Sequence, residues 1–384
     1  MPSRVLARAR AACAWALVLA ALAGCASSGS GSSAVTASGT TLTIYLSGAQ
    51  TSQPLIAADV LDAERLAYLD SPASAGGFRL RVITKQGKIS DLARTAIQDS
   101  SAIAYLGEVV PHTSYASLGI TNAVDLLQVS ATDTALELTQ STPAVPGAPD
   151  SYYQSRSTYG QTFARVVPTS GSEARAQVQE MQALRVSKLY VADDGGPYGA
   201  AIANAVKSDA AGKLTVVGSQ AGADGVFYGT NSAAAATRFF DRAATSNPAI
   251  KLFGPSALYD QTFAGGVSAA VRNLVISTPG FRTPDLPQAG TKFVSEFTSR
   301  YGHAPVPQDI FGYEAMSAVL AVLREAGSQA NNRSTVIHDF LALQNRQSVL
   351  GTYSMNSSGD TNIAPFLFGR LQHGTLVPFA QVQG

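Results

Sequence analysis

Cysteine is nearly absent from this chain: of 384 residues only Cys13 and Cys25 carry a thiol, and none follows residue 25. The body therefore has no disulfide and no cysteine-based metal site, and its stability must come from a packed core. Histidine is almost as scarce. His112, His303, His338 and His373 are scattered without metal-ligand spacing, so no metal and no cofactor are expected. Catalytic signatures are missing too. Gly254-Pro255-Ser256-Ala257-Leu258 lacks the closing glycine of a nucleophile elbow, and no H-E-x-x-H, phosphate-binding loop or G-x-G-x-x-G occurs. The adjacent acids Asp193-Asp194 are expected to cap the following helix rather than catalyse. Nor is there a charge surplus: 27 basic side chains face 26 acidic ones, which excludes the clustered basic face that nucleic-acid binding needs. What is abundant is apolar: 46% of residues are hydrophobic and 14% charged, enough for a large core spread over about two domains.

The N-terminus has the three parts of a secretory signal. Arg4, Arg8 and Arg10 precede an apolar run from Ala11 to Leu22 around Trp15, and small residues follow. The run is too short and wrongly flanked for a transmembrane helix. Leu22-Ala23-Gly24-Cys25 resembles a bacterial lipobox. That resemblance implies cleavage after Gly24, acylation of Cys25 and anchoring on the extracytoplasmic face of the cell membrane. Loss of residues 1–24 removes three basic side chains and no acidic one, leaving a formal charge of −2. Residues 25–40 are almost wholly Ser, Gly, Ala and Thr after the cysteine and are expected to form a flexible tether.

From Thr41 onward, apolar strand-like runs alternate with helical patterns. Strands are expected at 41–46, 78–84, 103–107, 126–130, 188–192, 214–218, 226–228, 251–253 and 274–277. In 173–185 the apolar positions Ala174, Val178, Met181 and Leu184 share one helical face. Phe311, Ala315, Ala318 and Val322 do the same in 308–326, with Gly327 as a stop. Such alternation predicts an α/β protein of parallel sheets joined by right-handed crossovers, with helices on both faces. One spacing breaks the rhythm: only the seven residues 219–225 separate two strand runs. Parallel neighbours need a crossover of roughly a dozen residues or more, so a hairpin or the loss of one strand is expected there. The Pro/Gly-rich stretch 141–160 is expected to be a surface loop.

Several local patterns, in order, resemble the substrate-binding proteins of branched-chain amino acid ABC transporters. Gln128-Val129-Ser130-Ala131-Thr132-Asp133-Thr134-Ala135-Leu136 is similar to that family's S-P-x-A-T-N-P-x-L run. Asp194-Gly195-Gly196-Pro197-Tyr198-Gly199 is similar to its D-x-x-x-Y-G turn. Phe293-Val294 with Phe297 and Tyr301-Gly302, then Tyr313-Glu314-Ala315 and Ala326-Gly327-Ser328, resemble its later motifs. The resemblance implies the two-lobed type I periplasmic-binding-protein fold, each lobe an open, mainly parallel sheet. Lobe 1 would be 41–165 plus 280–350 and lobe 2 would be 166–279 plus 351–384, with crossings near Val166, Pro279 and Leu350.

It also implies function: a monomeric, lipid-anchored, non-enzymatic protein that captures a small polar ligand, an amino acid or related compound, for an ABC permease. Ser130, Ala131 and Thr132 would hold an acidic or carbonyl group where a strand gives way to an expected helix over 133–140. Tyr198 would face them from lobe 2, and Gln53, His112 and Ser256 complete the expected contacts. Two departures stand out. Val110-Pro111-His112-Thr113 lies where the family uses serines. Ser256 stands where its amino acid binders place the carboxylate that holds the ligand ammonium, which disfavours a standard amino acid. The alternatives are a ligand-sensing lipoprotein of the same fold without transport, and a secreted hydrolase.

Overall fold

The computed structural model describes residues 35–384. The signal segment, Cys25 and the first part of the tether lie outside them. Among the described residues no helix is long and apolar enough to cross a membrane.

In chain order the strands are β1 (Thr41–Ala49), β2 (Ser74–Ala75), β3 (Phe78–Gly87), β4 (Ala102–Leu106), β5 (Leu127–Ser130), β6 (Phe163–Arg165), β7 (Lys188–Asp193), β8 (Thr215–Val217), β9 (Gly225–Gly229), β10 (Lys251–Gly254), β11 (Leu274–Pro279), β12 (Arg346–Ser348), β13 (Gly351–Tyr353), β14 (Pro365–Gln372) and β15 (Thr375–Gln383). The first sheet runs β2-β3-β1-β4-β5-β6 and the second runs β15-β14-β11-β10-β9-β7-β8. In the first, every pairing is parallel except that of β2 with β3. In the second, β8, β7, β9, β10 and β11 are parallel, and β14 and β15 are antiparallel additions at one edge.

Near-continuous burial explains why the parallel strands read as apolar runs. In β1, Leu42, Ile44 and Leu46 join the core formed with helices Pro54–Leu69 and Asp309–Ala326. Tyr45 points the other way, against Leu92, Ala93 and Ala96 of helix Ile89–Gln98. Both faces of the sheet are thus covered by helices, as crossover connections require. In the second sheet, Leu189, Phe227 and Phe253 pack on helix Ser170–Ala183, while Val226, Leu252 and Ile276 pack with Phe240 of helix Ala233–Ser246.

The chain leaves the first sheet after Arg165, returns after Pro279 to helix Gln288–Tyr301, and enters the second sheet again at Pro365. Residues 351–384 are divided. Tyr353, Met355 and Ile363 pack in the first lobe's core, and only β14 and β15 join the second sheet. Glu314 draws this segment to the first lobe: its Oε1 accepts from Arg346 Nε and, at 2.8 Å, from the Tyr353 hydroxyl.

Three expectations change in detail. The tether is already docked at residue 35. Val35 O accepts from Arg333 N, Ala37 N donates to Asn331 O, and Ala37 is buried. The seven-residue connection holds neither a hairpin nor a lost strand. β8 and β9 flank β7 on opposite sides, both parallel to it. β8 has three residues, so the return path is short, and it passes under the start of β7, where the Asp224 carboxylate accepts from Ser187 N and Lys188 N at 3.0 Å. Finally, no α-helix spans 133–140: one 3-10 turn, Leu136–Leu138, stands there.

Candidate ligand site between the lobes

Open parallel sheets bind ligands beyond the carboxyl ends of their strands, and here the strand ends of both sheets meet. On the first lobe the rim is organised by Asp133, whose buried carboxylate accepts from His112 N (2.6 Å), Ser114 N (2.9 Å) and Ala135 N (3.1 Å). Burial raises the Asp133 carboxyl, and the nearby Arg165 opposes that rise. This grip holds His112 at a φ of 78°, a left-handed conformation that non-glycine residues seldom adopt.

Arg165, fully buried, supports the rim from below. Its Nη1 donates to Asp133 O and Ala135 O, both at 2.8 Å, its Nη2 to Thr139 Oγ1, and its Nε to Asp360 Oδ1 at 2.9 Å. Those two carbonyls are ones an α-helix over 133–140 would use for its own ladder. Taking them for the guanidinium is the physical reason that the expected helix is replaced by a single 3-10 turn.

Without an α-helix over 133–140, Ser130, Ala131 and Thr132 lead into a single 3-10 turn. Ser130 Oγ donates to Glu108 O at 2.6 Å and accepts from Asp133 N at 2.9 Å. Thr132 Oγ1 donates to Val109 O at 2.6 Å. Both hydroxyl protons are therefore committed to main-chain carbonyls, and no helix dipole stands behind them. Ala131 is buried in the first lobe's core.

The other expected residues converge. Gln53 Nε2 donates across the cleft to Ala257 O at 2.8 Å, beside Ser256. Thr134 Oγ1 lies 3.4 Å from Ser256 Oγ, again between lobes. Asn231 Nδ2 donates to Pro111 O at 3.0 Å, next to His112. Tyr198 stands at the start of helix Pro197–Ala210, fully buried. Its hydroxyl has no hydrogen-bond partner of good geometry, and burial, with the negative charge of Glu173 next, raises it well above the ordinary value.

Two carboxyl groups that sequence reasoning passed over complete the site. Glu173, in the first turn of helix Ser170–Ala183, accepts from Ser256 Oγ (2.8 Å), from Ser256 N and from Ser277 Oγ. Burial pushes its carboxyl up to about 7, against the pull of those three donors. Glu137, in the 3-10 turn, is fully buried, and neither of its oxygens has a hydrogen-bond partner. Its Oε1 lies 2.8 Å from His112 Nδ1, but the angle there fails as a hydrogen bond. Glu137 was detectable in principle as the one acid inside Ala135-Leu136-Glu137-Leu138. Glu173 is indistinguishable in sequence from an ordinary helix-start acid. Among the described residues no cluster of three or more His, Cys, Asp or Glu could hold a metal ion.

The model of the periplasmic binding protein family matches residues 218–375. No sequence among the curated proteins matches the chain. Among solved structures it is similar to the leucine binding protein LivK of Thermotoga maritima MSB8, with 16% identity, a TM-score of 0.73, and coverage of 90% of this chain and 99% of that one. The branched-chain amino acid transporter substrate binding protein LivJ from Streptococcus pneumoniae, solved in complex with isoleucine, has 13% identity, a TM-score of 0.71 and coverage of 90% and 99%. A solute binding protein of an ABC transporter from R. palustris, solved in complex with benzoate, has 16% identity, a TM-score of 0.67 and coverage of 90% and 97%. The family match is confined to residues 218–375, and the solved structures share the two-lobed fold of this chain.

Proposed function

We propose that the chain is an extracytoplasmic solute-binding protein, anchored through a lipid on Cys25, that captures a small polar solute between its lobes and delivers it to an ABC permease. The observation that carries this reading is the meeting of strand ends. Gln53 with Ala257, Asn231 with Pro111 and Thr134 with Ser256 join the two lobes around buried polar side chains. Capture needs no bond to be made or broken. A solute that contacts both rims stabilises the closed arrangement by binding it better than the open one. Similar folds hold isoleucine in one solved protein and benzoate in another, so the class spans amino acids and small acids.

A melting-temperature screen of the purified chain against amino acids, amides, ureas, amines and short-chain acids tests the reading. A ligand at 100 times its Kd stabilises by about 2.7 kcal/mol, an upward shift of several degrees. A screen in which no solute moves the transition argues against capture. For the anchor, the Cys25→Ala variant is expected in the aqueous phase of a detergent partition; wild-type retention in the detergent phase contradicts lipidation there.

A further inference from the structure

We infer that the captured solute presents a cationic, hydrogen-bond-donating head, an ammonium or amidinium, and that Glu137 is the residue that receives it. The inference rests on the solute-capture reading above and gives that site a charge preference.

A carboxylate in the interior needs its lone pairs filled, because an uncompensated buried charge is costly. Among the described residues Glu64, Asp309 and Glu314, in helices Pro54–Leu69 and Asp309–Ala326, each have one buried oxygen without a hydrogen bond, whereas the acids around the cleft other than Glu137 are supplied with donors. Asp360 is met by Arg165, Thr139 and Gln140, and Glu173 by Ser256 and Ser277. Glu137 has no solvent exposure and two oxygens without a hydrogen bond. The one nitrogen near it, His112 Nδ1, belongs to a ring placed by other forces. It stacks on Tyr115 with centroids 4.8 Å apart, meets Tyr152 edge-on at 5.7 Å, and is fixed at its backbone by Asp133. The Tyr198 hydroxyl, buried on the facing lobe, has no hydrogen bond of good geometry either, although Thr134 and Ser256 stand beside it. Unfilled acceptors on both rims point to a partner from outside that brings donors.

The rest of the rim opposes an anion. The Ser130 and Thr132 hydroxyl protons are committed to main-chain carbonyls, and all three nitrogens of the Arg165 guanidinium already donate within the protein. Ser256, which replaces the expected ammonium-binding carboxylate, has both its N–H and its hydroxyl on Glu173. The charge lost at 256 is thus restored from the opposite lobe, at 137.

The test has two arms, both on the full chain. In the absence of added solute, the isosteric Glu137→Gln variant is expected to melt no lower than wild type, because it removes a buried carboxylate to which the protein makes no hydrogen bond. A fall of several degrees assigns Glu137 to a structural pair with His112 and overturns the inference. In the second arm, matched probes of one shape and opposite charge, benzylamine with benzoate and isobutylamine with isobutyrate, are titrated calorimetrically beside L-leucine. Binding of an ammonium-bearing probe that Glu137→Gln weakens by about 10- to 100-fold supports the inference. Tyr198→Phe, which deletes only a hydroxyl without a well-aligned hydrogen bond, should also weaken that probe without lowering the melting temperature. Anions bound as tightly by Glu137→Gln as by wild type overturn the charge assignment and leave capture standing. If no probe and no member of the wider solute screen binds, capture fails, and this inference with it.

Discussion

Glu173 and Glu137 stand behind the cleft from opposite lobes, both fully buried, and the protein equips them in opposite ways. Glu173 has three donors arranged around it, and its task is internal: it fixes the Ser256–Leu258 turn against the helix that begins the second lobe. Glu137 has none. Burial alone therefore does not separate a structural acid from a receiving one. The separation lies in whether the surrounding chain supplies the hydrogen bonds.

The largest effect expected to sharpen this comparison comes from pH. Burial pushes Glu64 up to about 8 and Glu108 and Glu173 up to about 7, from an ordinary value of 4.5. Above pH 4.5 the unfolded chain releases protons that the folded chain keeps. Stability is therefore greatest below that value and falls as pH rises through 7 to 8. The melting temperature should drop between pH 5.5 and 8.5, and Glu64→Gln, which removes the highest of the three, should flatten the drop. A stability that rises over that range contradicts the burial argument.

Next in size is Asp360→Ala, which breaks the comparison on the first-lobe side. It leaves the buried Arg165 guanidinium without its carboxylate and loosens the carbonyls of Asp133 and Ala135 that shape the rim around Glu137. Removing one partner of a buried pair costs about 3–5 kcal/mol, readable by urea unfolding. A loss below 1 kcal/mol would mean that the rim does not depend on this ion pair. The smallest effect tests Glu173 itself. Glu173→Ala orphans the buried Ser256 N–H, worth about 1–3 kcal/mol, and equal unfolding midpoints for Glu173→Ala and Glu137→Gln would erase the distinction drawn here.

Much of the scaffold was legible because both-face burial leaves unbroken apolar runs. All nine expected strands are present, with ends shifted by a few residues. β6 was missed because three residues, Phe163–Arg165, give no period, and its arginine looks like a surface residue until Asp360 arrives from 195 positions away. For the residues expected at the cleft, the sequence indicated where they stand in the fold and not what they bond to. Gln53, His112, Tyr198 and Ser256 come together at the cleft. Ser130 and Thr132 reach the same rim, but their hydroxyl protons go to carbonyls of the loop after β4, contacts that depend on how two strand ends are stacked. Nothing local in the sequence distinguishes a hydroxyl aimed at a ligand from one aimed at a neighbouring loop. The helix expected after β5 failed for the same kind of reason, a long-range competitor for its carbonyls.

Among the described residues, the hydrogen bonds named across the cleft have one further property: none of them is ionic. Gln53, Asn231 and the Thr134–Ser256 pair hold the lobes together through amides and hydroxyls, with a longer amide contact, 3.5 Å, from Gln308 to Tyr259 O. Interactions between exposed charges fade as ionic strength rises, whereas neutral dipoles at contact distance are not screened in that way. On the proposed function the protein works outside the cytoplasm, in a medium whose salinity the cell does not control. Clasped by dipoles, its lobes should open and shut at the same ratio in dilute and in briny surroundings, so that occupancy reports the solute and not the salt.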